Sequence, residues 1–181
     1  MRTILGLLAI LLTAAQGHAT SLFGQLCAFN PYWEQHAERL DGMPAKAIRN
    51  DVDYVRAHLT EVLGVLSEEP TMHLSNEQLA SRKDLIMVLA DYAGQGRFPI
   101  NYHRQERIPV FIDEHNTHCA VGYLMRHTGH EEMARRIAAA NNYAWVREVS
   151  EPGLEAWQEA SGLSLDELKL IQGAYDFYIQ D

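Results

Sequence analysis

Basic residues are scarce in this sequence, with 15 Lys and Arg against 24 Asp and Glu and a formal net charge of −9. No Lys/Arg run offsets the deficit, so bulk charge does not hold the chain on nucleic acid or on anionic lipid. The apolar run Ile4 to Ala15 is too short to span a bilayer, which takes about 20 residues, and polar residues follow it directly. Complete catalytic signatures are missing as well. Gly94-Gln95-Gly96-Arg97 is a helix stop with an arginine and falls far short of a phosphate loop, and no His-Glu-x-x-His run occurs. Asp113-Glu114 reads as a turn and Glu131-Glu132 as support for a helix start, so neither is a compact catalytic carboxylate pair. Repeats, low-complexity segments and linkers are also absent.

What is present begins with an export signal. Arg2 supplies a positive n-region, Ile4 to Ala15 a short apolar h-region, and Gly17-His18-Ala19 the small residues of a cleavage site after Ala19. The expected mature chain, residues 20–181, is exported to the periplasm or secreted. It has the size of one domain with a sizeable core.

Helical spacing dominates the rest. Asn30-Pro31 opens a first helix that Gly42 ends, and Pro44 starts a longer one whose seam is Ile48, Val52, Val55, Leu59, Val62 and Leu66. Ser75 with Gln78 forms a capping box for a helix ended by Gly94 and Gly96, with Arg82, Lys83, Asp84 and Asp91 on its solvated face. Residues 97–117 lose the period and read as an extended connector with one short strand at 108–113, which a run at 143–149 can pair. Asn116 or Thr117 caps the next helix, and Thr128 with Glu131 boxes the one after. Ser150 opens a short helix. Ser164 with Glu167 opens the last, with Leu165, Leu168, Ile171, Tyr175 and Tyr178 facing inward. The expected fold class is mainly α: a single multi-helix domain of about seven helices with at most one short two-stranded β element.

Chemistry concentrates between residues 103 and 130. With Asn116 or Thr117 as cap, Cys119 falls in a first helical turn, where unsatisfied N–H groups and the helix dipole favour a thiolate. His115 or His103 is then the candidate base and Asp113 the group that orients it. His118 is a poor base for its direct neighbour, because adjacent helical residues point apart. Export also permits a Cys27–Cys119 disulfide, closing a loop of about 92 residues, and an inert buried thiol is the third alternative. His115-x-x-His118 and His127-x-x-His130 have a spacing that places two ligands on one helical face, with zinc or copper the ions suited to imidazole and thiolate. Each pair, however, straddles an expected helix boundary. Trp33, Trp145 and Trp157 with eight tyrosines are core at helical spacing or the lining of a groove.

Five pieces, NPYW at 30–33, GRFPIN at 96–101, IPVFID at 108–113, CAVGYL at 119–124 and SGLSLDEL with IQ at 161–172, give the chain its family character. With these it resembles an uncharacterised family of exported bacterial proteins common among Bacteroidetes. The resemblance implies export and a shared fold, and it carries no catalytic or binding residues. The chain departs from it at Gly173-Ala174, where the family has a proline that would end the last helix. Three functions stay open. One is an exported helical binding domain for a small molecule or a protein. Another is a thiol-dependent hydrolase or acyl transferase built on Cys119. The third is a metal or haem protein using His103 to His130.

Overall fold

A computed structural model describes residues 21–178, so the signal segment expected at residues 1–19 lies outside the described part. The chain is mainly helical, with eight α-helices, two 3₁₀ turns and isolated β-bridges in place of a sheet among the described residues. Contacts gather it into two units, within residues 1–48 and 49–181.

The first unit holds a helix with no counterpart in the sequence reading, α1 (Leu22–Phe29), capped by the Ser21 hydroxyl, which accepts from Gly24 N at 3.1 Å. Leu22, Leu26 and Phe29 are its buried face. The Asn30 carboxamide then accepts from Tyr32 N at 2.8 Å with Pro31 in the first turn, as expected, although the turn it opens is 3₁₀ (Pro31–His36) before a short α2 (Ala37–Leu40). The Gln25 side chain clasps the returning strand-like segment, accepting from Lys46 N and donating to Lys46 O.

In the second unit α3 (Asp51–Glu68) starts later than Pro44 suggests. Asn50 caps it through Asp53 N at 2.9 Å, and the acidic first turn suits the dipole. Its buried seam therefore begins at Val55, and Val52 is exposed. The central α4 (Asn76–Gln95) carries the complete Ser75/Gln78 capping box and ends at Gly96 in the left-handed region, φ +66°. It packs on α3, on α5 (Ala120–His127) and on α7 (Leu154–Ser161). α6 (Glu131–Asn141) packs on α5, and α8 (Leu165–Ile171) on α3 and α5.

Several local expectations change. Arg82 faces inward from α4, buried against Glu167 of α8, and is not part of a solvated face. Thr128 does not cap α6. Its hydroxyl donates to Leu124 O and Met125 O and accepts from Trp157 Nε1 at 2.9 Å. Gly153, at φ +89°, precedes α7 in place of Ser150. The final helix stops at Ile171 because Gln172 turns extended and buries its carboxamide, accepting from Val146 N and donating to Ala144 O. Tyr175 and Phe177 then bridge Ile108 and Asn101. The 108–113 run is paired by Tyr175, by His118 and by Asn142, while part of 143–149 forms a 3₁₀ turn instead (Val146–Glu148).

Gly162 closes the α7–α8 turn at φ +68°, and a Cβ there would lie 2.5 Å from Gln78 O. Only glycine meets both demands. Among the described residues no helix is long and apolar enough to cross a membrane.

Candidate functional site

The loop between the strand-like run and α5 is organised by one carboxylate. Asp113 Oδ1 accepts from His115 N at 2.9 Å and Thr117 N at 2.8 Å, and Oδ2 accepts from Ile100 N at 3.1 Å. Backbone bonds from Asp113 N to Thr117 O and from Asn116 N to Asp113 O tighten the turn, with Asn116 at φ +60°. Asparagine tolerates that region better than most residues. The antiparallel bridge Ile112–His118 and the bond from Cys119 N to Phe111 O then hand the chain to α5.

Cys119 is the N-cap of α5, one residue before the first turn, and its Sγ accepts from Gly122 N at 3.4 Å. Two effects compete at this thiol. The helix-start N–H groups favour the thiolate, and burial disfavours it. Burial wins, pushing the Cys119 pKa up to about 12. At pH 8 the thiolate is then roughly one part in ten thousand. The partners proposed for it are engaged elsewhere. His103 pairs with Glu114 at 2.8 Å, His115 Nε2 meets Tyr102 Oη at 3.0 Å, and Asp113 serves backbone N–H groups. As placed, Cys119 is buried while His115, His103 and Asp113 are engaged with other partners, which lends the nucleophile–base reading no support. The Cys27–Cys119 disulfide is likewise not formed. Both thiols are free, and Cys27 is half-buried on α1. Alkylation of the native protein near neutral pH is expected to label Cys27 alone, with Cys119 labelled only on unfolding. Rapid native labelling of Cys119, followed by mass spectrometry, would refute this.

The four histidines proposed as metal ligands also diverge. His115 leans on Tyr102, His127 Nε2 meets Asp84 at 2.9 Å, and His130 Nδ1 meets the Thr128 hydroxyl at 3.2 Å. Among the described residues no group of three or more His, Cys, Asp or Glu side chains converges to hold a metal ion. Of the tryptophans, Trp33 and Trp157 are core and Trp145 is half-buried.

His118 behaves differently. It is 2% exposed, and neither ring nitrogen has a hydrogen-bond partner. The nearest carboxylate, Glu131 Oε1, stands 4.0 Å from Nε2, too far to bond it. Arg135 takes that same oxygen at 2.6 Å and holds the Glu131 carboxyl below its usual range. Burial pushes His118 below its ordinary pKa, opposed in part by Glu131 and by a backbone contact to Asn116, so the imidazole is neutral at pH 7. The Asn116 contact falls short of a well-formed hydrogen bond, and neither nitrogen has a partner of good geometry. The backbone beneath it is fixed, because Tyr92 donates from its hydroxyl to His118 O at 2.9 Å.

That imidazole lines an open cleft of about 480 Å³. The end of α4 contributes Tyr92, Gln95 and, just beyond, Arg97. The Asp113 loop contributes His115, Asn116 and Thr117, and α5 contributes Tyr123, Arg126 and His127. Gln95 Nε2 approaches Tyr123 Oη at 3.3 Å, and the Tyr123 ring lies 4.8 Å from that of Tyr92. Volume and polarity suit a small polar molecule. Sequence reasoning passed over Arg97, Gln95, Tyr123 and Arg126. The available signal was an arginine thrown out after a glycine helix stop, and an Arg-His pair ending α5.

Comparison with known proteins found no match to a family model, a curated protein or a solved structure.

Proposed function

We propose that the protein is an exported helical binding domain whose ligand is a small polar molecule seated in the cleft beside His118. The observation that carries this reading is the pair of unsatisfied imidazole nitrogens on a side chain 2% exposed. Each such buried group costs about 1–3 kcal/mol, so a position serving stability alone favours an apolar residue. A ligand in the cleft supplies the missing partner once the rim or the ring shifts to uncover a nitrogen that the empty fold seals from solvent. The signal-like character of residues 1–19 and the resemblance to exported bacterial proteins support export.

The rim contributes adaptable polar groups. Tyr123 and Gln95 offer a hydroxyl and a carboxamide, and the Asp113-braced loop presents Asn116 and Thr117. The test is the His118→Leu chain. It is expected to gain stability without ligand and to lose any saturable response of cleft residues to added solutes. A chain that loses stability and keeps that response would sink the reading.

A further inference from the structure

We infer that the ligand of this cleft is a small organic anion bearing a carboxylate or phosphate group, gripped by Arg97 and Arg126. The inference deepens the binding reading and rests on it. The chain has 24 acidic residues, yet none lines the cleft, while two arginines and three histidines do. Glu131, Asp84 and Asp91 stand behind the lining, within the range of about 8 Å over which charge acts at physiological salt. The guanidiniums therefore select an anion by direct contact inside the cleft and not through a net positive field.

Both arginines expose their guanidiniums, Arg97 without a carboxylate and Arg126 with a loose one. Arg97 is exposed and has no carboxylate partner among the described residues. The carboxylate near Arg126 is Glu131, 3.7 Å from Nε, whose other oxygen is taken by Arg135 at 2.6 Å. The other acids near the rim are engaged, Asp84 with His127 and Asp91 with Gln95. A guanidinium presents two parallel donors that match a carboxylate or phosphate, whereas a neutral polyol leaves them unused and a cation is repelled. The neutral His118 beneath them takes a hydroxyl or a protonated oxygen of the same molecule only after a shift of the rim or ring uncovers one of its nitrogens. A cleft of about 480 Å³ is of the size that holds a small acid or phosphate ester.

The experiment is an amide chemical-shift titration of the protein at fixed ionic strength with inorganic phosphate, citrate, glucose and spermidine. Phosphate or citrate, or both, is expected to shift Arg97, Asn116 and Tyr123 along a saturating curve. The Arg97→Gln/Arg126→Gln chain is expected to weaken that binding about tenfold or more. Both arginines lie at the surface, so the variant retains the fold, which its unchanged core resonances verify. Oxyanion binding indifferent to the double substitution marks an adventitious ion only and overturns the inference. Saturable binding of glucose or spermidine, lost in His118→Leu while oxyanions give nothing, overturns the anion and keeps the site. No saturable response to any probe overturns the anion, and a destabilised His118→Leu chain then removes the site as well.

Discussion

Arg82→Met is expected to lower the unfolding free energy by about 3–5 kcal/mol, the range for breaking one side of a buried ion pair. Arg82 is 4% exposed and bonds Glu167 with both terminal nitrogens, Nη1 to Oε2 at 2.8 Å and Nη2 to Oε1 at 2.5 Å. It also donates to Gly162 O at 3.0 Å and Leu66 O at 2.9 Å. One guanidinium therefore joins α4, the end of α3, the turn after α7 and the first turn of α8. Without it the Glu167 carboxylate keeps only its capping bond from Ser164 N at 2.7 Å. Two backbone carbonyls lose a donor as well. Glu167→Gln retains an acceptor for the cap and a neutral partner for Arg82, so it is expected to cost less. Urea midpoints at constant m-value measure both. A loss under about 1 kcal/mol for Arg82→Met would place the pair in the class of exposed salt bridges, contrary to its burial.

Acid is expected to unfold the protein partly through His58. This side chain is fully buried on α3, with Nε2 3.4 Å from Ile171 O, and burial lowers its pKa to about 3. In the unfolded chain it titrates near 6.5. Between those values the unfolded state binds a proton that the folded state refuses. The stabilising contribution is full above about pH 6.5 and is lost as pH falls toward 3, at about 1.4 kcal/mol per pH unit. Across the window the loss is on the order of 5 kcal/mol. Carboxylates add their own slopes, so the difference between the parent and His58→Gln isolates this one. The variant is expected to be less stable at pH 7 and to lose stability less steeply below pH 6. Equal slopes in the two chains would mean that His58 charges inside the fold.

Local chemistry was legible in part: two capping boxes form as spaced, while the Thr128–Glu131 box and the caps expected at Ser150 and at Asn116 or Thr117 do not. Ser75 with Gln78 and Ser164 with Glu167 start their helices as their spacing says, and the mainly helical class follows from the same periodicities. Long-range partners were not legible. Arg82 reads as solvated because Glu167 is 85 positions away, and no local pattern marks it as the mate. The last helix carries no stop signal in its sequence, since Gln172 stops it through Val146 and Ala144, 26 and 28 positions away. At the site the helix-start argument for a reactive Cys119 was sound in direction and lost in magnitude to burial. The rule that neighbours point apart set His118 aside as a base for Cys119. The same divergence leaves Cys119 capping α5 and His118 lining the cleft. The histidine density near this loop drew attention to metal ligands, while the arginines that mark the cleft stand singly in the sequence, at 97 and 126.

The account turns on His118 being held at a cost to the empty fold. The direct measurement is the unfolding free energy of the ligand-free His118→Leu chain beside the parent, at pH 7. Leucine has a comparable volume, needs no hydrogen bonds, and leaves the Tyr92 bond to the 118 carbonyl in place. Removing an imidazole with at least one orphaned nitrogen is predicted to raise stability by about 1–3 kcal/mol. A loss of about 1 kcal/mol or more, as at an ordinary core position, would contradict the account and make His118 a structural residue.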